Sequence, residues 1–444
     1  MGRRAVSGIL LSLLLASVLT FAFNIQPVEA SGTIYILPDG RVFPSTASIK
    51  REKSRLYVFT DNISAQIRVY MDNIAIDGAG YTLQDPLGGF HTKGMDLTLR
   101  KNVTLRNMSI KGFYYGVYLF DSSNNNISCS YMTNNSYGIR ADYSSNNIIS
   151  RNNITGNKEG IQLLYSSGNQ VAQNNITANT EEYDDGVITG AGILILDSHS
   201  NNISGNDVTD NIDNIVLGGS MYNSVGENHI ASNAYFASSF GILLLSSSSN
   251  TIFANDLVTN KDGIFFFHGS LSNLIYNNNF LNNARQVYDI SWRFPFLQPS
   301  ISTWDSGYPS GGNYWSDYEE LYSDAEELDD SGIWDTPYVI DENNQDNYPL
   351  MEPWIRLSRT MDELKTRVEE LGSEGQIDRQ GTVKSLIVKL DTVQKLVDKG
   401  KTDEAKTILT DDFIPQVQNL SGIHITVEAA DVLVKSAEYI LSSL

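Results

Sequence analysis

The chain has 444 residues, of which 41% are hydrophobic and 19% are charged, and its formal net charge is −21. This composition can fill a core, which excludes a wholly disordered chain, and a strongly acidic surface repels phosphate backbones, which excludes nucleic acid as a partner. The single cysteine, Cys129, cannot form an internal disulfide, and it excludes zinc–thiolate and iron–sulfur sites.

The N-terminus has the features of a secretory signal. Arg3 and Arg4 precede an apolar run at residues 9–23, and small residues at positions 28 and 30 precede a cleavage site after Ala30. The run is short for a membrane span, and no later stretch is apolar enough to be one. The sequence therefore predicts a signal peptide at 1–30 and a protein that is secreted or at the cell surface. An uncleaved N-terminal anchor is the alternative.

Residues 101–290 carry an internal repeat of about 22 residues. Asparagines stand three positions after, and mostly also two positions before, each residue of one apolar column: Met132, Ile154, Ile176, Val208, Ile230, Leu257 and Phe280. A second column, followed by β-prone triplets, is Gly116, Gly138, Gly160, Gly192, Gly241 and Gly263, with Asn214 replacing glycine once. A third column is apolar: Ile127, Ile148, Val171, Ile203, Val225, Ile252 and Ile275.

Each unit of the repeat thus contains three short apolar strands separated by Asn, Ser or Gly turns. Longer stretches with a 3.6-residue period, which a helical repeat needs, are absent. Units stacked about 4.8 Å apart would align like residues, so that asparagines hydrogen-bond along the axis and aliphatic side chains form one core. The sequence predicts a parallel β-helix with three faces and about 22 residues per coil.

The G-I-x-L, N-x-I and N-x-I-x-x-N units resemble the parallel β-helix repeats of the NosD family, and of the wider class of carbohydrate-binding proteins and sugar hydrolases. Residues 72–83 resemble the opening coils of archaeal surface proteins of this type, and residues 311–318 resemble the segment after their last coil. The resemblance implies a right-handed, all-β solenoid over residues 31–354. It implies little about chemistry, because the repeats are mostly scaffold.

The flanking segments complete the predicted domain order. Residues 31–100 are expected to form an N-terminal cap and the first coils, because an open end exposes core and strand edges. Residues 291–354 hold every tryptophan of the chain and are expected to form a C-terminal cap with an acidic loop. An aromatic platform for sugar is the alternative for the tryptophans.

After Pro353 the apolar residues follow a helical period. We expect a helical linker at 355–375 and a small helical domain at 376–444. The latter resembles the FIMAH domain of extracellular proteins through motifs that include Lys399-Gly400-Lys401 and Phe413-Ile414. The resemblance implies an accessory module, which a protein partner would recognise.

Catalytic candidates on a β-helix are carboxylates on one outer face, because glycoside hydrolysis needs two of them at a defined separation. In the column just before the glycines, Glu159 and Asp213 are expected two coils apart, or about 9.6 Å. No two consecutive coils carry a carboxylate in that column or in the one that contains Asp121 and Asp197. The sequence therefore names Glu159 and Asp213 only as weak catalytic candidates, and solvating acids are the simpler interpretation.

A mixed polar and aromatic patch is a stronger candidate for ligand binding. It contains three outward positions of successive coils and three neighbours, a set suited to stacking on and hydrogen-bonding a glycan. Its residues are Tyr118, Arg140, Gln162, Asp142, Tyr143 and Tyr165. The next four outward positions are apolar, which predicts that an insertion or a partner covers them.

Metal sites are weakly indicated. The five histidines are not paired at ligand spacing, and no Cys, His or Met cluster is suited to copper. Asp329, Asp330 and Asp335 lie in an acidic segment with a Gly turn, so calcium is a possible cofactor, with a solvated loop as the alternative.

Three hypotheses about function follow. The first is a secreted or cell-surface protein that binds a polysaccharide, a surface glycan or matrix without turning it over, or that is structural. The second is a polysaccharide lyase, epimerase or glycoside hydrolase that acts on the β-helix face. The third is a NosD-like periplasmic factor that assists assembly of a copper site. We favour the first, because neither adjacent carboxylates nor a His/Met cluster is present.

Overall fold

The computed structural model describes residues 32–444 except 87, 183–187, 233–238, 356, 359 and 374. The predicted signal peptide, residues 1–30, lies outside the described residues. The chain divides into two compact units, one that ends at Glu352 and one that begins at Pro353. Within the described residues, no helix is long and apolar enough to cross a membrane.

The first unit is a parallel β-helix, as predicted. Its described strands form three long sheets, here called A, B and C, of 12, 11 and 11 strands. Successive strands of one sheet come from successive coils and pair in parallel, whereas sheets A and B each begin with an antiparallel hairpin.

Sheet A carries the longest strands. In chain order they are Thr33–Ile36, Val42–Phe43, Gln66–Val69, Lys93–Asp96, Tyr115–Phe120, Tyr137–Asp142, Glu159–Leu164, Ala191–Leu196, Asp213–Gly218, Phe240–Leu245, Asp262–Phe267 and Arg285–Asp289.

Sheets B and C consist of shorter strands. Those of sheet B are Ile49–Lys53, Leu56–Phe59, Ala75–Asp77, Thr104–Arg106, Asn126–Ser128, Ile148–Ser150, Gln170–Ala172, Asn202–Ser204, Ser224–Gly226, Thr251–Phe253 and Leu274–Tyr276. Those of sheet C are Ile63–Ser64, Thr82–Gln84, Ser109–Lys111, Tyr131–Thr133, Asn153–Thr155, Asn175–Thr177, Asp207–Thr209, His229–Ala231, Asp256–Val258, Asn279–Leu281 and Tyr314–Trp315.

The apolar columns of the repeat fill the interior, with one correction. Met132, Ile154 and their equivalents are fully buried in one continuous core. In the third column, however, Ile127 pairs with Ile149 rather than with the predicted Ile148, which is 40% exposed. The prediction was wrong by one residue there because both positions are isoleucine, and a shift of one residue exchanges the two faces of a strand.

Asparagines form three buried ladders at the corners of the coils. In two of them each side-chain Nδ2 donates to the next Oδ1 at 2.9–3.1 Å, from Asn125 to Asn273 and from Asn152 to Asn313. The third ladder passes through Asn214, which accepts from Asn211 and donates to Asn260 at 3.3 Å. The residue that replaces glycine in its column thus carries the ladder past an insertion.

Both ends of the core are closed. Near the N-terminus the side chain of Tyr57 is buried and donates to the carbonyl oxygen of Gly40. At the other end Trp315 stacks between Phe280 and Tyr338, with ring centroids 4.3 and 4.1 Å away, and Trp304 is also buried. These two tryptophans are core residues of the cap rather than a sugar platform.

The cap also contains a 3-10 helix, Ile290–Trp292, and a short α-helix, Tyr318–Leu321. Two small antiparallel ribbons complete the first unit. One pairs Glu181–Glu182 with Ile188–Thr189, and the other pairs Tyr338–Asp341 with Asn344–Asp346.

The second unit is helical and has its own core. Its α-helices are Met361–Ser373, Gln380–Val397, Thr402–Ile408, Ile414–Leu420 and Val427–Ser443, and Leu409–Phe413 is a π-helix. The segment predicted as a linker, 355–375, instead contributes the first of these helices. Leu364, Val368 and Leu371 on that helix are fully buried, because their spacing forms an apolar stripe that packs into the same core.

Candidate functional site

The outer face of sheet A has two side-chain columns that run along the axis. Within a strand such as Tyr115–Phe120, the first and fourth residues point outward while Val117 and Leu119 are buried. The first column contains Lys93, Tyr115, Tyr137 and Glu159 on successive coils. The second contains Arg68, Asp96, Tyr118, Arg140 and Gln162.

Aromatic rings form a connected surface across these columns. Tyr115 lies 4.7 Å from Tyr118 and 5.4 Å from Tyr137, measured between ring centroids, and both pairs are stacked. The ring centroid of Phe120 lies 6.4 Å from that of Tyr118 and 5.8 Å from that of Tyr143, which is in the turn after the strand Tyr137–Asp142. Flat, partly exposed rings of this kind offer apolar area together with a hydroxyl at the edge.

The turn after the strands extends this surface. Tyr143 and Tyr165 occupy the same position of successive coils, with ring centroids 5.0 Å apart and an interplanar angle of 18°. The two side chains are 54% and 48% exposed. Both residues have positive φ angles, 51° and 50°, so the left-handed turn directs both rings alike.

Asp142 connects the aromatic rings to a cation. Its carboxylate accepts from the Tyr118 hydroxyl at 3.0 Å and from Arg140 Nε at 2.9 Å. The Arg140 guanidinium also lies 5.0 Å from the Tyr137 ring centroid and 5.7 Å from that of Tyr115. Aromatic packing and one charged hydrogen bond therefore fix its position.

A second cation group lies on the preceding coils. Lys93 Nζ is 4.1 Å from the centroid of the Tyr118 ring and 3.4 Å from Asp96, which also pairs with Arg68 at 3.5 Å. The outer face of these coils thus carries tyrosines and paired charges together.

The acid–base properties of the patch follow from burial and from Asp142. Burial, followed by the charge of Asp142 and the hydrogen bond to it, raises the pKa of the Tyr118 hydroxyl above its usual range. Burial also raises the pKa of Tyr115 and of Tyr137. For Arg140, burial opposes the charge, but the hydrogen bond and charge of Asp142 outweigh it and raise the pKa. The tyrosines are therefore neutral hydrogen-bonding groups and Arg140 is a permanent cation.

Gln162 is the next residue of the second column. It is 8% exposed, and its Oε1 has no hydrogen-bond partner. A buried acceptor without a partner costs about 1–3 kcal/mol, so a ligand hydroxyl that donates to Oε1 would be favoured.

A groove adjoins the patch where the turns lead into sheet A. Its volume is about 370 Å³, and its lining includes Phe90, Tyr114 and Lys158. Tyr114 connects the groove to the aromatic surface, because its ring centroid is 4.7 Å from that of Tyr115 and 5.6 Å from that of Tyr137.

The structure brings all six predicted ligand-binding residues to one face. Sequence reasoning did not assign Tyr115 and Tyr137, which stand in the column of Glu159, to the patch, and it missed Lys93 and Phe120. Alternation puts the fourth and sixth residues of a strand on one face, which would have found Phe120. The first residue breaks the alternation, because the two residues after it are both buried.

The two catalytic candidates lie on the same face but in different surroundings. Glu159 accepts a hydrogen bond from the backbone N–H of Ala191 at 3.1 Å. Asp213 pairs with Ala191 on the following coil, so the two carboxylates are two coils apart, as predicted. Burial alone raises the pKa of Asp213 to about 6.

The predicted calcium ligands do not converge. Asp329 accepts from the Tyr308 hydroxyl at 2.6 Å, and Asp335 accepts from the backbone N–H of Glu326 at 3.1 Å. In the described part of the chain, no three His, Cys, Asp or Glu side chains are grouped so that they could hold a metal ion. Calcium binding by Asp329, Asp330 and Asp335 stays a prediction without support from this geometry.

Three family models match segments of the chain. Residues 183–320 match the periplasmic copper-binding protein NosD, residues 72–228 match a right-handed β-helix region, and residues 361–442 match the FIMAH domain. No curated protein matches the sequence.

The side chains in the described residues do not fit the copper that the first description names. Met95, Met108 and Met132 are buried in the core, and His199 Nδ1 accepts from the backbone N–H of Met221. Cys129 is exposed and belongs to no metal-binding group.

Solved structures similar to this chain are β-helix proteins of low sequence identity. The Dettilon tailspike protein is 16% identical over 53% of this chain and 61% of its own, with a TM-score of 0.35. DFA-IIIase from Arthrobacter chlorophenolicus A6, in complex with DFA-III, is 11% identical over 60% and 66%, with a TM-score of 0.37. The periplasmic alginate epimerase is 12% identical over 63% and 80%, with a TM-score of 0.35.

The chain spans about three fifths of the length of the first of these structures, and the likeness shows the fold alone. The family matches confirm the resemblance to NosD and to the FIMAH domain, and the right-handed sense of the coil. This chain is therefore similar to right-handed β-helix regions over residues 72–228, to NosD over residues 183–320, and to the FIMAH domain over residues 361–442.

Proposed function

We propose that this protein binds polysaccharide, without turning it over, on the outer face of sheet A between Lys93 and Tyr165. The observation that carries the proposal is the connected aromatic surface with Arg140, Asp142 and Gln162 at its centre. Exposed rings stack on the apolar faces of sugar rings, and the polar groups between them bond the hydroxyls.

The placement of the carboxylates favours binding over catalysis. Asp142 is held by Tyr118 and Arg140, and Glu159 is held by a backbone N–H. Within the described coils, no two consecutive coils carry carboxylates in either outward column. The patch therefore lacks an evident pair of carboxylates across a glycosidic bond.

One observation favours the second candidate function, a polysaccharide lyase, epimerase or glycoside hydrolase. Asp213 has its pKa raised to about 6, which is suited to a general acid, and Glu159 is two coils away. New chain ends on a polymer, abolished by Asp213→Asn or Glu159→Gln, would establish catalysis. Their absence on acidic and neutral polymers alike would count against a lyase or a hydrolase. An epimerase leaves the chain ends unchanged, so the sugar composition of the recovered polymer tests for it. No observation favours assembly of a copper site.

The location and the helical unit complete the proposal. A glycan-binding role fits a secreted or cell-surface protein, which the N-terminal signal also predicts. We assign the helical unit to recognition of a protein partner, as an accessory module.

Binding is tested by removing the two exposed rings. Tyr143→Ala combined with Tyr165→Ala should weaken retention on a bound polysaccharide about tenfold, because each ring contributes about 0.5–1.5 kcal/mol of stacking. Tyr222→Ala is a matched control: Tyr222 is also exposed and also has a positive φ, 58°, but it lies outside the patch. Equal retention of the double variant and the control would contradict the assigned face.

A further inference from the structure

We propose that the bound polysaccharide is acidic, carrying the carboxylates of uronic acids, and that Arg140 is the residue that recognises them. This inference rests on the proposed polysaccharide-binding function and specifies the class of polymer. It follows from three features of the patch: its place in the charge distribution of the chain, the free side of Arg140, and the acceptor on Gln162.

The coils that carry the patch are basic in an otherwise acidic protein. Residues 31–180 contain fourteen Lys and Arg against ten Asp and Glu, a net charge of +4. Residues 181–444 contain fifteen against forty-one, a net charge of −26. A polyanion is therefore repelled by most of the chain and attracted to the first coils, where the tyrosine surface lies.

Arg140 is prepared to receive a planar anion. Asp142 takes only Nε, and among the described residues no partner bonds Nη1 or Nη2, which keeps four N–H donors for a ligand. The rings of Tyr115 and Tyr137 hold the guanidinium plane, so little further side-chain entropy is lost on binding. A guanidinium fork matches a carboxylate with two parallel hydrogen bonds, which gives it specificity as well as affinity.

Gln162 distinguishes a uronic acid from a simple anion. It follows Arg140 in the same column, about one 4.8 Å rise along the axis. Its buried Oε1 requires a donor, and an ionised carboxylate has none to offer. A ligand that satisfies both residues therefore carries an anion and a hydroxyl a few ångströms apart, as a uronic acid does and an acetate ion does not.

A second cation extends the site along the axis. Lys93 lies in the first column, two coils before Tyr137, and its ammonium group packs against the ring of Tyr118. A polymer that runs along the axis over the tyrosines would meet Arg140 and then Lys93. A chain of acidic sugars gains from both, whereas a single acidic sugar gains from one.

The experiment compares one polymer with and without its charge. Binding of the full chain to polygalacturonate and to its methyl-esterified form is measured at low and at moderate salt. We expect polygalacturonate to bind at least about tenfold more tightly, and added salt to remove most of that difference. Arg140→Gln should abolish the preference, because an amide has neither the charge nor the fork of a guanidinium. Arg151→Gln, at an exposed arginine outside the patch whose Nε bonds Gln173, should keep the preference.

The outcomes separate this inference from the proposed function. Equal binding to the two forms, lost in the Tyr143/Tyr165 double variant, would overturn acid recognition and leave polysaccharide binding intact. Failure to bind any polymer would overturn both. Tighter binding to a sulfated polymer of equal charge density would overturn the carboxylate assignment.

Arg140→Gln leaves Asp142 without its cation, so its melting temperature is measured beside that of the unmodified chain. If this variant does not fold, Arg140→Lys serves instead, because it keeps the charge and loses the fork. Binding of polygalacturonate by Arg140→Lys should fall by about fivefold or more. An unchanged affinity in this variant would overturn the role of the fork.

Discussion

The two halves of sheet A share one backbone and differ in their outer faces. In the first half the second outward column is Tyr118, Arg140 and Gln162, whereas in the second half Leu194, Val216, Leu243 and Phe265 occupy the same column. Val216 and Phe265 are buried although their strands point them outward. The interior columns, in contrast, are alike in both halves.

This difference separates the residues that determine the fold from those that determine function. Inward apolar residues, glycines and ladder asparagines recur because each coil must stack on the next. The outward columns are free of that constraint, so the fold does not require the aromatic and charged residues of the first half. In the second half Val216 and Phe265 are buried, whereas Leu194 and Leu243 are partly exposed, and this half is not a second copy of the site.

The largest expected effect is a loss of stability, and it tests whether the interior is packed alike in the two halves of the β-helix. A Cβ at Gly138 would lie 2.6 Å from the carbonyl oxygen of Gly160, and one at Gly241 would lie 2.5 Å from that of Gly263. Because backbone stands in the way, Gly138→Ala and Gly241→Ala should each lower the free energy of unfolding by about 3 kcal/mol or more.

Urea unfolding of both variants measures this effect. Gly32→Ala is the control, since nothing lies within 4 Å of its Cβ and its stability should match that of the unmodified chain. A large loss at one column position and none at the other would contradict the equivalence of the two halves.

The next prediction compares the loss of stability on replacing a buried asparagine with that on replacing its exposed neighbour. The Asn174 side chain makes five hydrogen bonds: it accepts from the Asn152 backbone and side chain and donates to Ile149, Ala172 and Asn206. Asn174→Ala leaves buried donors unpaired and should cost about 3 kcal/mol. Asn175 is exposed, so Asn175→Ala should change stability by no more than about 0.5 kcal/mol. Similar melting temperatures for the two variants would show that the ladder adds little.

Much of this fold was predictable from the sequence, because the same pattern of apolar, glycine and asparagine positions recurs in each coil. The columns of Met132 and Gly116 gave the period, and the asparagines gave two of the three ladders. The ladder from Asn125 to Asn273 was missed, because the asparagines were aligned only on the column of Met132. Two adjacent isoleucines carry no local information about which one faces inward, and only pairing with the neighbouring coils decides it.

The sequence predicted which residues form the candidate site, but not the hydrogen bonds and ring contacts between them. Alignment of the coils placed Tyr118, Arg140 and Gln162 side by side. The contacts among these residues depend on side-chain rotamers, which an alignment of columns does not specify. Examples are the hydrogen bonds of Asp142 to residues of two different coils and the stacking of Tyr115 on Tyr118. The helix Met361–Ser373 was taken for a linker because amphipathic spacing shows that a helix packs, but not on which core.

The smallest expected effect concerns Asp213, a carboxylate in the first outward column of the apolar half. The pKa of Asp213 is about 6 in the folded chain, against an ordinary value of 3.8. At about pH 2.5 and below the group is protonated in both states and contributes no difference. As the pH rises from about 4 to about 6, the unfolded chain loses the proton while the folded chain keeps it, so the folded state loses stability.

Asp213→Asn removes this penalty. Two pKa units correspond to at most about 3 kcal/mol, and residual contact with water reduces that to about 2 kcal/mol. The variant should therefore be more stable than the unmodified chain at about pH 8, and the gain should shrink to about 0.5 kcal/mol at about pH 4, as measured by urea unfolding at both values. Its retention on polysaccharide should not change, since Asp213 lies outside the aromatic patch. If the variant is no more stable at the higher pH, the Asp213 carboxylate is in contact with water in the folded chain. The two halves of sheet A would then differ in the charges on their outer faces but not in how deeply those faces are buried.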